Sequence, residues 1–150
     1  MKQRVVSLSD FGPAENMSLI ETDIPTPGSG QIVVKNNAIG LNYLDTYFRS
    51  GLYPWPNNND IKIPGSEGVG YIHAVGSDVS DFKEGDRVSY VTPVGAYAEY
   101  AVINAAHAAK INVEVEDHDV VACTLKGLTT HYLLHLTTKV TPAMTTLVHA

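Results

Sequence analysis

Residues 40–53 read Gly-Leu-Asn-Tyr-Leu-Asp-Thr-Tyr-Phe-Arg-Ser-Gly-Leu-Tyr, and the punctuation of this stretch decides how the rest of the chain is read. Asn42 is a good helix N-cap, and Asp45 falls in the first turn, where a carboxylate suits the positive end of the helix dipole. Gly51 stands where a helix C-terminus wants a residue free to adopt positive φ. One short helix is therefore expected between two glycines. It carries Asn42, Asp45, Tyr47 and Arg49, with Tyr53 just beyond. Apolar residues flank it, in Ala38-Ile39-Gly40-Leu41 and again in Pro64-Gly65-Ser66-Glu67-Gly68-Val69-Gly70. Polar groups on a short element held between apolar walls suit a small-molecule site, although a solvated surface helix accounts for the same residues. Arg49 is expected to be structural, in a surface ion pair.

Outward from the helix, short strands alternate with breaker residues. Residues 2–8 and 17–22 read as strands around a turn at Gly12-Pro13. Two prolines and two glycines make residues 24–30 a loop. Strands follow at 31–39 and 68–75, the latter turned by Gly76-Ser77-Asp78, with Val79 and Phe82 as apolar anchors beyond it. Between them, Tyr53 to Asp60 is irregular. Gly85-Asp86 turns the chain into a strand with Val88, Tyr90 and Val91, and residues 95–102 alternate again. Many short strands jointed by Gly and Pro mean a mainly β barrel or sandwich. Near residue 116 the period changes: Asp117 can cap a helix, and Val120, Val121, Leu125, Leu128, Tyr132, Leu133 and Leu136 recur at helical spacing. Pro142 breaks it, and Thr145 to Ala150 reads as the opening of a buried strand.

Composition narrows the partners. The 150 residues with 44% apolar content suit one domain, or one with a fragment of a second, and the net charge of −6 argues against nucleic acid. No apolar run reaches membrane-spanning length, and Met1-Lys2-Gln3-Arg4-Val5-Val6 does not open a signal peptide. The one cysteine, Cys123, rules out an internal disulfide and a Cys-rich structural zinc site. A cytoplasmic setting is expected.

The ordered motifs G-L-N-Y-L-D, S-G-L-Y-P, P-G-S-E-G-V-G, G-D-R-V, G-A-Y-A-E-Y and K-G-L-T-T-H-Y-L-L resemble the medium-chain dehydrogenase/reductase superfamily. Within it the chain looks most similar to the zinc-independent quinone oxidoreductases related to zeta-crystallin. The resemblance implies a GroES-like, partly open β-barrel catalytic domain over residues 1–116. Residues 117–150 would be the first helix and strand of a truncated Rossmann domain. It implies an NADPH-dependent reduction of a quinone or enone by the full-length protein, a homodimer. Tyr53 and Tyr47 would be catalytic, and Asn42, Tyr47, Tyr53, Lys126 and Thr129 would line the cofactor cleft. The glycine-rich pyrophosphate loop of such a domain follows its first strand, so the 150-residue chain alone is expected to be inactive and not to bind NADPH. A zinc-free enoyl reductase of the same superfamily and a non-catalytic GroES-like binding module are the alternatives.

The zinc-dependent members place a cysteine ligand where this chain has Asn42, a histidine where it has Ser66, and a proton-relay hydroxyl where it has Leu44. An amide and a hydroxyl are poor zinc ligands, and Glu67 alone makes no site. His131 and His135, spaced i, i+4, lack the intervening Glu of a zincin helix and are not taken as a site. A metal-free protein is expected. Without a Lewis acid to polarise an isolated carbonyl, hydride needs an acceptor that delocalises charge by conjugation, as a quinone or enone does.

Overall fold

The structure is a computed structural model and describes residues 1–148. Strands β1 (Lys2–Leu8) and β2 (Met17–Asp23) pair antiparallel as one two-stranded sheet. β3 (Gln31–Gly40), β4 (Glu67–Val75), β5 (Arg87–Val91), β6 (Tyr100–Asn104) and β7 (Ala108–Lys110) form a second, antiparallel sheet in the order β6-β3-β4-β5-β7. Single bridges, Val5 to Ala98 and Leu8 to Lys62, tie β1 to the segments that lead into β6 and β4. The architecture is mainly β, with open sheets not closed by continuous ladders. This agrees with the expected fold class.

The core follows from strand alternation. Ile32, Val34, Ile72, Val88, Tyr90, Ala101 and Ile103 are buried together, and Val79 and Phe82 pack against them as anchors. Each such aliphatic side chain removed from water contributes about 1.5–3 kcal/mol. Tyr90 can be buried because its hydroxyl donates to Asn36 Oδ1 at 2.9 Å.

Helix α1 (Tyr43–Ser50) lies between β3 and β4 in sequence, and Gly51 ends it at φ 78°, as its spacing predicts. Helix α2 (Asp117–His131) lies against β3, β4 and β5, and Tyr132–Thr137 continues it as a wide π-helical turn. Only the first part of the expected apolar stripe is covered. Val121 is buried, whereas Leu128, Tyr132, Leu133 and Leu136 are exposed.

Three local expectations need correction, and one strand comes in addition. The alternation at 95–102 is strand only from Tyr100. The backbone of Gly95, Ala96 and Tyr97 instead bonds to Pro64 and Gly65 in a compact turn. Strand β7 was not anticipated, because Ala108-Ala109-Lys110 carries no β-propensity and is held by the edge of β5. Asp117 does not cap α2, whose N-cap is Glu116. Its carboxylate is drawn instead to Arg87 at 2.9 Å and to Asn37 at 2.7 Å. Thr145 to Val148 form no strand: no strand lies alongside them among the described residues, and a strand without a neighbour has nothing to hydrogen-bond. The rest of that expected strand, His149 and Ala150, lies outside the described residues.

Candidate functional site

The site is assembled around the N-terminus of α1. Asp45 reaches back to accept the Asn42 backbone N–H at 2.9 Å, half of a reciprocal capping arrangement. Asp45 is itself buried and collects two further donors, the Tyr97 hydroxyl at 2.8 Å and the Ser66 hydroxyl in a short bond. Three donors from three segments satisfy a carboxylate that burial would otherwise penalise. Burial pushes the Tyr97 phenol well above its ordinary range, and the neighbouring Asp45 carboxylate raises it further.

The Asn42 side chain, the other half of that capping box, also reaches partners on two other elements. Its Nδ2 donates to Glu67 Oε1 at 2.8 Å, and its Oδ1 accepts from Lys126 Nζ at 3.0 Å. Lys126 Nζ also reaches Glu67 Oε1 at 3.3 Å, closing a triangle, and the Leu125 backbone N–H donates to Glu67 Oε2 at 2.8 Å. Glu67 is 0% exposed, whereas the Lys126 side chain is 57% exposed. The triangle joins α1, β4 and α2.

Beyond α1, the Tyr53 backbone N–H donates to the Tyr47 carbonyl at 3.1 Å, which folds the chain back past Gly51. The Tyr47 and Tyr53 rings lie 5.4 Å apart, and Phe48 meets Tyr53 edge-on at 5.7 Å. Tyr53 is 43% exposed. Neither the Tyr47 nor the Tyr53 hydroxyl has a hydrogen-bond partner among the described residues. Two phenols are therefore held by their rings with their polar ends uncommitted.

The structure thus brings Asn42 and Lys126 into direct contact and pairs Tyr47 with Tyr53 on the same short helix-turn. Thr129 is exposed, and its hydroxyl donates to the Leu125 carbonyl one turn back. Arg49 is not in a surface ion pair: among the described residues it forms none, and its Nε is buried without a partner. The helix turns it toward the protein. Glu67, weighed from sequence only as a lone carboxylate that makes no zinc site, is the centre of the arrangement. The local signal was a carboxylate between Ser66 and Gly68 at the head of a largely apolar strand. A cavity of about 690 Å³ lies elsewhere, along the end of α2 and the following tail.

At the Asn42 and Ser66 positions the side chains are engaged within the chain. Their donors are an amide bonded to Glu67 and Lys126, and a hydroxyl bonded to Asp45. No cluster of three or more His, Cys, Asp or Glu suited to a metal occurs among the described residues.

Residues 28–113 match the alcohol dehydrogenase GroES-like domain. The chain is 43% identical to a quinone oxidoreductase of Pseudomonas aeruginosa, over 97% of this chain and 41% of that protein. A solved quinone oxidoreductase of Pseudomonas syringae superposes with a TM-score of 0.88 at 42% identity, covering 93% of this chain and 43% of the other. The Escherichia coli quinone oxidoreductase, solved in complex with NADPH, superposes with a TM-score of 0.81 at 34% identity, over 95% of this chain and 43% of that one. The chain therefore spans less than half the length of the relatives it matches.

Proposed function

This chain belongs to the alcohol dehydrogenase GroES-like family, among the quinone oxidoreductases of the medium-chain dehydrogenases/reductases, and from that membership we propose an NADPH-dependent reductase of quinones or other conjugated carbonyls. In this reading residues 1–116 are the catalytic domain, and α2 opens the nucleotide-binding domain of a longer, cytoplasmic, homodimeric protein. No helix among the described residues is long and apolar enough to cross a membrane. The observation that carries the reading is the meeting of Asn42 and Lys126, 84 positions apart, at the start of the helix that also bears Tyr47.

The residues present fit a dinucleotide. Asn42 offers both a donor and an acceptor, the half-exposed Lys126 offers a cation, and the two phenols offer donors that no described residue uses. Asn42, Tyr47, Tyr53 and Lys126 would hold the nicotinamide end and the acceptor, with the exposed Thr129 hydroxyl on the α2 side. NADPH supplies hydride when bound. The Tyr53 and Tyr47 hydroxyls orient the acceptor oxygen and donate to the negative charge that develops there. No side chain is assigned as obligate acid or base, so the protein's part is positioning. Zinc does not fit the donor set, and no step is assigned to it. An acceptor that spreads charge by conjugation follows from that chemistry.

In the protein at the full length of its relatives, Tyr53→Phe should slow quinone reduction severalfold, since one hydroxyl hydrogen bond is worth on the order of 1 kcal/mol. NADPH consumption with benzoquinone measures it. Unchanged kcat and KM for both substrates would show the Tyr53 phenol to be a bystander.

A further inference from the structure

Glu67 is a fully buried carboxylate with no access to solvent, on a strand where an apolar residue would cost less. Three donors converge on it: the Asn42 amide, the Lys126 ammonium and the Leu125 backbone N–H. Room for it is built into β3. A Cβ on Gly40 would lie 2.3 Å from Glu67 Oε1, so only glycine at that position lets the carboxylate stand where it does.

We propose that Glu67 is a positioning residue that fixes which way the Asn42 amide points and where the Lys126 ammonium sits. The closed triangle carries the argument. With Nδ2 against the carboxylate and Oδ1 against the ammonium, both contacts are attractive. Rotating the amide by half a turn would set oxygen against carboxylate and N–H against ammonium, both repulsive. Asn42 is therefore held in one of its two orientations, with its second N–H and second Oδ1 lone pair in a set direction. Neutral glutamine at position 67 can itself turn over, so it cannot impose that choice. The inference rests on the proposed cleft only for its consequence, since the geometry it asserts belongs to this chain.

The test is made on the 150-residue chain and needs no turnover. Brief acetylation read by peptide mass spectrometry should find Lys126 roughly three- to tenfold less reactive than the exposed Lys139, because Lys126 must leave two acceptors to react. Glu67→Gln should raise Lys126 labelling by a similar factor and leave Lys139 unchanged. In nitrogen-15 spectra, the Asn42 side-chain amide (identified by its absence in Asn42→Ala) should move less in Lys126→Met, which leaves its N–H on the carboxylate, than in Glu67→Gln. Lys126→Met alters a largely exposed side chain, so it keeps the test open if Glu67→Gln fails to fold. An Asn42 amide that moves in Lys126→Met as far as in Glu67→Gln would make lysine the organiser and overturn the proposal. Lys126 labelling that stays level with Lys139 in the unmodified chain would overturn it too. Failure of the cleft assignment would appear separately, in the Tyr53→Phe kinetics.

Discussion

Tyr97→Phe isolates the bond that holds the start of α1. The Tyr97 side chain is buried, and its hydroxyl donates to Asp45 Oδ2 at 2.8 Å. Phenylalanine keeps the ring and removes one oxygen, so the cavity term is small. Asp45 keeps the Asn42 N–H and the Ser66 hydroxyl but loses one of three donors to a buried carboxylate. A hydrogen bond to a charged group contributes about 1.5–3 kcal/mol, so the variant should lose about that much at pH 7. Urea unfolding followed by circular dichroism at 25 °C measures the loss, with an unchanged m-value as the check that only stability moved. The pH dependence adds a second, signed expectation. The native Tyr97 phenol is raised above its ordinary 10.0 by burial and then by Asp45. A raised native pKa gives stability that is complete below the unfolded value and fades as pH climbs towards the native one. The difference between the two proteins should therefore shrink by about 1.4 kcal/mol per pH unit above roughly pH 10. A loss under about 0.5 kcal/mol at pH 7, or a difference that stays level through the alkaline range, would refute the reasoning.

Two further variants probe the frame around the site. The Asp117 carboxyl lies below its ordinary value, first through the Asn37 amide and then through the Arg87 guanidinium. Its stabilisation should be present above about pH 4 and fade as pH falls through the native value. Asp117→Asn should cost on the order of 1 kcal/mol at pH 7 and flatten that acid limb; equal acid profiles for the two proteins would count against the pair. Gly65→Ala places a Cβ 2.2 Å from Tyr97 Cδ1 and 2.7 Å from the Tyr97 backbone nitrogen, at a φ of 96°. Loss of roughly 3 kcal/mol or more is expected in a thermal melt, and a penalty under about 1 kcal/mol would mean the turn readily moves aside.

Much of the architecture was legible because it is written locally. Asn42, Asp45 and Gly51 bound α1 within ten positions, and the turns at Gly76-Ser77-Asp78 and Gly85-Asp86 separate strands whose residues carry their own β-propensity. The misreadings arose where a distant partner overruled a local preference. Residues 95–99 alternate like a strand, yet the backbone N–H groups of Gly95, Ala96 and Tyr97 are taken by Pro64 and Gly65, and that of Glu99 by Arg4. Asp117 is a good cap residue, yet a guanidinium and an amide from other segments compete for its carboxylate. Arg49 reads as a surface cation, and the helix buries its Nε.

By itself, the sequence determined the order of β1 to β6 and of the two helices, the short helix between glycines and the polar residues it carries, because turns, caps and alternation act over a few residues. It also determined that the Asn42 and Ser66 positions offer an amide and a hydroxyl, which is side-chain chemistry independent of fold. Tertiary structure alone decided what those side chains touch. Asn42 meets Glu67 from 25 positions away and Lys126 from 84, and Asp45 meets Tyr97 from 52. The importance of Glu67 lies entirely on this second side. A carboxylate costs free energy when buried unless donors surround it, and its donors come from α1 and α2, which only the packing against the sheet brings together.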